Sequence, residues 1–250
     1  MLTEHHDGPY GRMRSRAVGD RVPGVPQVVL VQGLGVSDYL LPALRALAGW
    51  TRAYLVELPG LCGSGEPPHE LDLPGYAAAV ADWVTARGEP VVLAGHSAGC
   101  QVAARAAVGH PLVAGVVLAS PTVDPDARSL LRLARRWRRD GSREPGGLTR
   151  SHLPEWWRAG PHRLLRLVQL CIADDIAESV RAIDVPLLGL YGRDDAISDE
   201  QWVRDLVQLA PHSRLVLVPG AHTFVWSHPD AWCAPVRDFA TGLAAQPTAP

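Results

Sequence analysis

PVVLAGHSAGCQVAARAAV, residues 90–108, decides how the rest of the chain is read. It opens with an unbroken apolar run, Pro90–Ala94, passes through Gly95-His96-Ser97-Ala98-Gly99, and continues as a helical stretch, Ala98–Val108. Apolar residues at consecutive positions suit a strand buried on both faces, as in a parallel sheet covered by helices. Two glycines around a serine let strand and helix approach without a Cβ clash and let the turn adopt strained backbone geometry. Ser97 is therefore predicted to project from the sheet at a helix N-terminus, where main-chain N–H groups and the helix dipole favour a developing oxyanion.

Outward from that segment, similar apolar runs recur at Val28–Gln32, Tyr54–Glu57, Val116–Ala119, Leu187–Tyr191 and Leu215–Val218. Helical patterns lie between and after them at Leu40–Ala48, Leu73–Arg87, Asp199–Ala210 and Asp230–Ala244. This alternation predicts repeated βαβ units, an α/β fold with a mostly parallel central sheet flanked by helices. Met13–Val18, followed by Gly19, reads as an antiparallel edge strand, and His5 and His6 before it as part of a loose terminus. From Pro121 to Asp184 no strand is evident, while LLRLARRWRRD and HRLLRLVQLCIADDIAESVRAI carry helical spacing. The expected organisation is a core of residues 1–120 and 185–250 with a helical insertion, 121–184. Within it GSREPGGLTRSHLPEW, rich in Gly, Pro and Ser, reads as a loop, and the terminal AAQPTAP as disordered.

Composition narrows the function classes. A chain of 250 residues can bury one sizeable core, and it has no run of about 18 apolar residues able to span a bilayer. The polar N-terminus lacks the basic patch and apolar stretch of a secretory signal, so a cytoplasmic setting is expected, with no membrane partner. All 24 basic residues are Arg, against 26 Asp and Glu, a balance that argues against a nucleic-acid partner. Cys62, Cys100, Cys171 and Cys233 are far apart with no CxxC, as expected of free thiols. The ten histidines include no HExxH and no Cys/His cluster, so no metal site is expected.

GHSAG resembles the nucleophile elbow of the α/β-hydrolase superfamily, and the resemblance runs from Gly11 to Phe239. The family orders its residues nucleophile, acid, histidine; here Ser97 is followed by Tyr191-Gly192-Arg193-Asp194-Asp195 and then Gly220-Ala221-His222. The G-x-x-D spacing selects Asp195, with Asp194 and Asp124 as rival acids. A serine hydroxyl is too weak an acid to attack at neutral pH, so His222 is expected to take its proton and return it to the leaving group, while Asp195 orients the imidazole. His96 reads as a structural member of the elbow. Gln32-Gly33-Leu34-Gly35 resembles the family's His-Gly-x-Gly oxyanion segment, with Gln in place of His; the resemblance implies that the N–H groups of Leu34 and Ala98 hold the oxyanion. Glu57-Leu58-Pro59-Gly60-Leu61-Cys62-Gly63-Ser64 resembles the family's Asp-x-Pro-Gly-x-Gly-x-Ser turn, with Glu57 for Asp and Cys62 for Gly, and implies a structural role.

The superfamily carries its lid after the strand that follows the elbow, which is where residues 121–184 fall. Trp137, Trp156, Trp157, Leu164, Leu165 and Leu170 offer apolar surface there, and Trp157 together with Trp226, just beyond His222, are the aromatics expected at the substrate. The lid arginines Arg132, Arg135, Arg136, Arg138 and Arg139 read as a solvated face. The implied activity is hydrolysis of an ester, thioester or lactone of a small, largely apolar molecule through an acyl-enzyme at Ser97, without metal or organic cofactor. The same residues would support meta-cleavage-type C–C hydrolysis, acyl transfer or lyase chemistry, or ligand binding with a slow triad, and fold does not decide among these. Oligomeric state is not legible.

Overall fold

Valine and leucine at successive positions let each central strand face two cores at once. In a computed structural model of the chain, which describes residues 1–244, eight strands form one sheet: β1 (Leu2–Gly8), β2 (Gly11–Val18), β3 (Gln27–Val31), β4 (Ala53–Val56), β5 (Val91–His96), β6 (Val113–Ala119), β7 (Leu187–Gly192) and β8 (Ser213–Val218). Their order is β1-β2-β4-β3-β5-β6-β7-β8, antiparallel from β1 to β4 and parallel from there on. The helices are α1 (Leu41–Leu47), α2 (Leu73–Arg87), α3 (Gly99–Ala107), α4 (Leu130–Gly141), α5 (Leu148–Ala159), α6 (Pro161–Ala173), α7 (Ile176–Arg181), α8 (Glu200–Gln208), α9 (Phe224–Ser227) and α10 (Pro229–Ala244).

Alternate residues of one strand enter opposite cores, as the period of two requires. Val29, Val31 and Leu93 join Trp83 of α2, Val102 of α3 and Val203 of α8. Val28, Leu30, Val92 and Ala94 join Leu44 of α1 and Trp232 and Val236 of α10. The direction of winding reverses at β3, which pairs with β4 on one side and β5 on the other. Open α/β sheets place their ligands outside the strand C-termini at such a reversal; the Gln32–Gly35 segment and Ser97 both emerge there.

Three expectations need correction. Met13–Val18 lies in a strand, but β1 pairs outside β2, so the edge is Leu2–Gly8 and not the loose terminus expected of His5 and His6. Its residues are polar on both faces, which hides a strand from periodicity, and it is held instead by ion pairs of Glu4 with Arg52 and Arg87 and by a hydrogen bond between His6 and Asp82. The second half of the loop expected at 141–156 is helical, because α5 starts at Leu148 directly after Gly147. Of the tail expected to be disordered, Ala244 closes α10, and 245–250 lie outside the described residues. Between β6 and β7 the chain forms α4 to α7, preceded by a short turn at Pro125–Ala127, with no strand among the described residues.

Two of the three arginines of β2, Arg14 and Arg16, share a partner. Glu57, fully buried, takes Arg14 through both carboxylate oxygens at 2.7 and 2.8 Å and Arg16 at 3.0 Å. It also accepts the Gly63 N–H at 2.8 Å and the Ser37 hydroxyl at 3.0 Å. The Glu57–Ser64 turn is thus built around one satisfied buried charge. Among the described residues the four cysteines are free, and no helix is long and apolar enough to cross a membrane.

Candidate active site

The elbow at the end of β5 holds Ser97 at φ 54°, left-handed backbone that a side-chain-bearing residue rarely adopts. The flanking glycines are required by close approach: a Cβ on Gly95 would lie 2.4 Å from the Gly99 carbonyl oxygen, and one on Gly99 would lie 2.4 Å from that of Gln32. Ser97 consequently stands at the start of α3 with its hydroxyl turned towards the turn after β8.

That turn carries His222. The Ser97 hydroxyl donates to His222 Nε2 at 2.9 Å, and His222 Nδ1–H donates to Asp195 Oδ2 at 2.9 Å. Asp195 follows β7 and is buried; its other oxygen accepts the N–H groups of Ile197 at 2.7 Å and Ser198 at 3.1 Å. Burial alone would raise this carboxyl, but the charge and hydrogen bond of His222 and the main-chain donor hold it below the usual range. Burial likewise opposes a charged His222, yet Asp195 outweighs it and the imidazole lies above its ordinary value. The rivals are elsewhere. Asp194 is exposed, and Asp124 caps a short turn at Ala127 and pairs with Arg136.

His96 joins the elbow to the histidine turn. Its Nε2–H donates to the His222 carbonyl at 2.8 Å, and Nδ1 accepts the Tyr39 hydroxyl at 2.7 Å. Burial pushes this imidazole down to about 3, so it stays neutral and its two bonds persist across the working pH range.

Opposite His222 lies the Gln32–Gly35 segment. Gln32, fully buried, braces it by accepting the Leu58 N–H at 3.2 Å through Oε1. Leu34 and Ala98 flank Ser97, and among the described residues neither of their N–H groups has a hydrogen-bond partner within the chain. The inserted helices grip the same segment. Trp156 Nε1 donates to the Leu34 carbonyl at 3.0 Å, and buried Glu155 accepts the N–H groups of Ser37 at 2.7 Å and Asp38 at 3.0 Å.

A cavity of about 280 Å³ opens over Ser97 and His222. Tyr39, Trp137, Trp156, Leu148 and His152 form its apolar and aromatic wall, and Asp140, Glu144 and Thr223 its polar end. Trp137 and Trp156 stack with ring centroids 6.4 Å apart. The two aromatics expected at the substrate are not in this wall. Trp157 follows Trp156 on α5, points the opposite way and is 90% exposed. Trp226 lies on α9, which packs back on α1 and α10, and is half-buried against the core there, outside the cavity lining. Tyr39, His152, Asp140 and Glu144 carried no motif; only the helical period of 130–141 could have put Asp140 on the inward face with Leu133 and Trp137.

A strained serine at a strand-to-helix elbow, bonded to a histidine that is bonded to a buried carboxylate, has the geometry of a serine-hydrolase nucleophile, base and acid. Residues 28–236 match the model of the alpha/beta hydrolase family, and the chain belongs to that family. It is 29% identical to a pimeloyl-(acyl-carrier protein) methyl ester esterase of Neisseria meningitidis, over 90% of this chain and 80% of that one. In fold it is similar to a serine hydrolase involved in carbazole degradation, with a TM-score of 0.77, 17% identity and coverage of 96% and 98% of the two chains. A thermophilic esterase from Thermogutta terrifontis gives a TM-score of 0.71 at 19% identity, covering 98% and 100%.

Proposed function

We propose that this chain hydrolyses a carboxylic ester of a small, largely apolar molecule through an acyl-enzyme at Ser97. The observation that carries the reading is the unbroken hydrogen-bond chain Ser97–His222–Asp195 at the floor of an aromatic cavity. Ser97 attacks the ester carbonyl as His222 takes its proton. The imidazolium, stabilised by Asp195, then protonates the departing alcohol, and water repeats the sequence in reverse to release the acid. The unpaired N–H groups of Leu34 and Ala98 receive the oxyanion, each worth roughly 10²-fold or more in rate. Residues 121–184 act as a lid, with Trp137 and Trp156 covering the acyl or ring moiety in place of Trp157 and Trp226. The ester named for the Neisseria relative supports this bond type. A cytoplasmic setting belongs to the same reading, supported by four unpaired cysteines.

The cavity wall includes two carboxylates, Asp140 and Glu144, and no arginine. A substrate that keeps a free carboxylate at its distal end meets like charge there. Turnover of p-nitrophenyl esters of increasing acyl length tests both points. The expected result is an optimum at intermediate length, and a kcat/KM roughly tenfold lower for an ω-carboxylate ester than for its neutral methyl-ester counterpart. No turnover of any ester by the folded protein contradicts the ester reading, and a preference for the ω-carboxylate contradicts the charge reading.

The base also sets a pH profile. His222 must be neutral to accept the Ser97 proton, and its pKa is raised above the ordinary 6.5. The kcat/KM is therefore expected to fall with acidification through a single limb centred above pH 6.5, because His96 does not titrate there. A limb centred below pH 6 removes His222 from the role.

A further inference from the structure

The inserted helix α4 and the residues just past it reach both turns that carry Asp195 and His222. Asp140, 3% exposed, accepts through Oδ1 the main-chain N–H of Ala196 at 2.9 Å and that of His222 at 3.3 Å. Glu144 accepts the Thr223 N–H at 2.7 Å. The same segment donates in return: Arg136 to the Ile197 carbonyl at 2.8 Å and Arg143 to the Asp194 carbonyl at 2.7 Å. Residues 136–144 thus bind the main chain of the acid turn and of the histidine turn together.

For such a tie an asparagine would suffice. Its amide oxygen offers the same acceptor without the desolvation cost of burying a carboxylate. Among the described residues Asp140 has no salt-bridge partner, so its charge is not there to neutralise an arginine. The cation it does face is the one formed at His222 during each half-reaction. The other groups around that imidazole are Asp195 from the turn after β7, Glu144 from the α4 segment, His152 from α5, and His96, whose ring centroid lies 5.1 Å away.

We propose that Asp140, assisted by Glu144, is a positioning residue for the reaction: it fixes the His222 turn against the Asp195 turn and places negative charge behind the imidazole that must hold a proton. The inference rests on the reading of Ser97, His222 and Asp195 as the reacting set. It makes the lid part of the catalytic assembly as well as a roof, because the charge arrives only when α4 is seated. Burial and the neighbouring Asp140 push the Glu144 carboxyl up, against the donors of Thr223 that hold it down.

Steady-state kinetics on a neutral p-nitrophenyl ester across pH, for wild type, Asp140→Asn, Asp140→Ala and Glu144→Gln, tests this. Asp140→Asn keeps the acceptor and removes the charge; the expected result is KM within about twofold, kcat lower by roughly tenfold, and an acid limb moved to lower pH. Asp140→Ala loses the tie as well, and kcat falls by about 100-fold with KM little changed. Glu144→Gln, at a half-buried site where misfolding is not in question, moves the limb the same way by less. A limb that stays in place in both Asp140→Asn and Glu144→Gln overturns the proposal, as does an Asp140→Ala variant with wild-type kcat. Should the Asp140 variants not fold, the Glu144→Gln limb decides by itself. Labelling of Ser97 by a fluorophosphonate in the wild type separates the two levels: no labelling strikes the underlying reading, whereas a labelled wild type with unaltered variants strikes only this inference.

Discussion

Ser97→Ala is expected to lose roughly 10⁵-fold in kcat on any ester the wild type turns over, with a melting temperature within about 2 °C of wild type. The loss is large because, among the described residues, no other hydroxyl in the cavity is bonded to His222. His222 would remain bonded to Asp195, and the N–H groups of Leu34 and Ala98 would remain free, but a general base and an oxyanion site without a nucleophile recover only a small residue of the rate. The fold is indifferent to the change. The Ser97 hydroxyl makes one side-chain bond, to His222, and the strain of φ 54° is borne equally by serine and alanine. His222→Ala should match it to within about tenfold, since nucleophile and base act as a unit and their losses do not add. A Ser97→Ala protein that keeps a tenth of the activity would place the reaction elsewhere.

Glu57→Ala is expected to have the largest effect on stability, about 3–5 kcal/mol, seen as a fall in melting temperature of roughly 10 °C. The carboxylate is fully buried and is the shared partner of Arg14 and Arg16, whose side chains are 27% and 7% exposed. Removing it leaves the Arg14 guanidinium without its two-oxygen partner, leaves Arg16 with only the half-exposed Asp38 as a carboxylate partner, and frees the Gly63 N–H. Conservative Glu57→Asp should recover part of the loss, because one oxygen can still reach an arginine. A melting temperature lowered by less than about 3 °C would mean that water or side-chain motion resolves the arginines more cheaply than this geometry implies. The network continues through Ser37 to Glu155, so the variant should also loosen the segment that carries Leu34.

The parallel strands were legible because burial on both faces writes itself into consecutive Val and Leu, and the elbow because sterics demand glycine at 95 and 99. The order Ser97, Asp195, His222 could be placed at strand C-termini for the same reason. β1 was not legible, since Thr3, Glu4, His5 and Asp7 show no apolar face, and the side-chain ties of Glu4 and His6 go to Arg52, Arg87 and Asp82 far along the chain. The start of α5 was hidden by Gly146 and Gly147, which end one loop and cap a helix with equal ease. The wall of the cavity was least legible. Which of Trp156 and Trp157 faces inward depends on the rotation of α5, and that rotation is fixed by Glu155 docking on the N–H groups of Ser37 and Asp38, a contact no local pattern announces. Trp226 was misread for a related reason: nearness to His222 in sequence does not survive the reversal of the chain at α9.

The most direct test of the central claim is the mass of the protein quenched in acid during turnover of a p-nitrophenyl ester, followed by mapping of any adduct. The account predicts an acyl adduct of the substrate's own acid, confined to the peptide that contains Ser97 and absent in Ser97→Ala. An ester turned over with no covalent adduct at any time, or with the adduct on another residue, would contradict it.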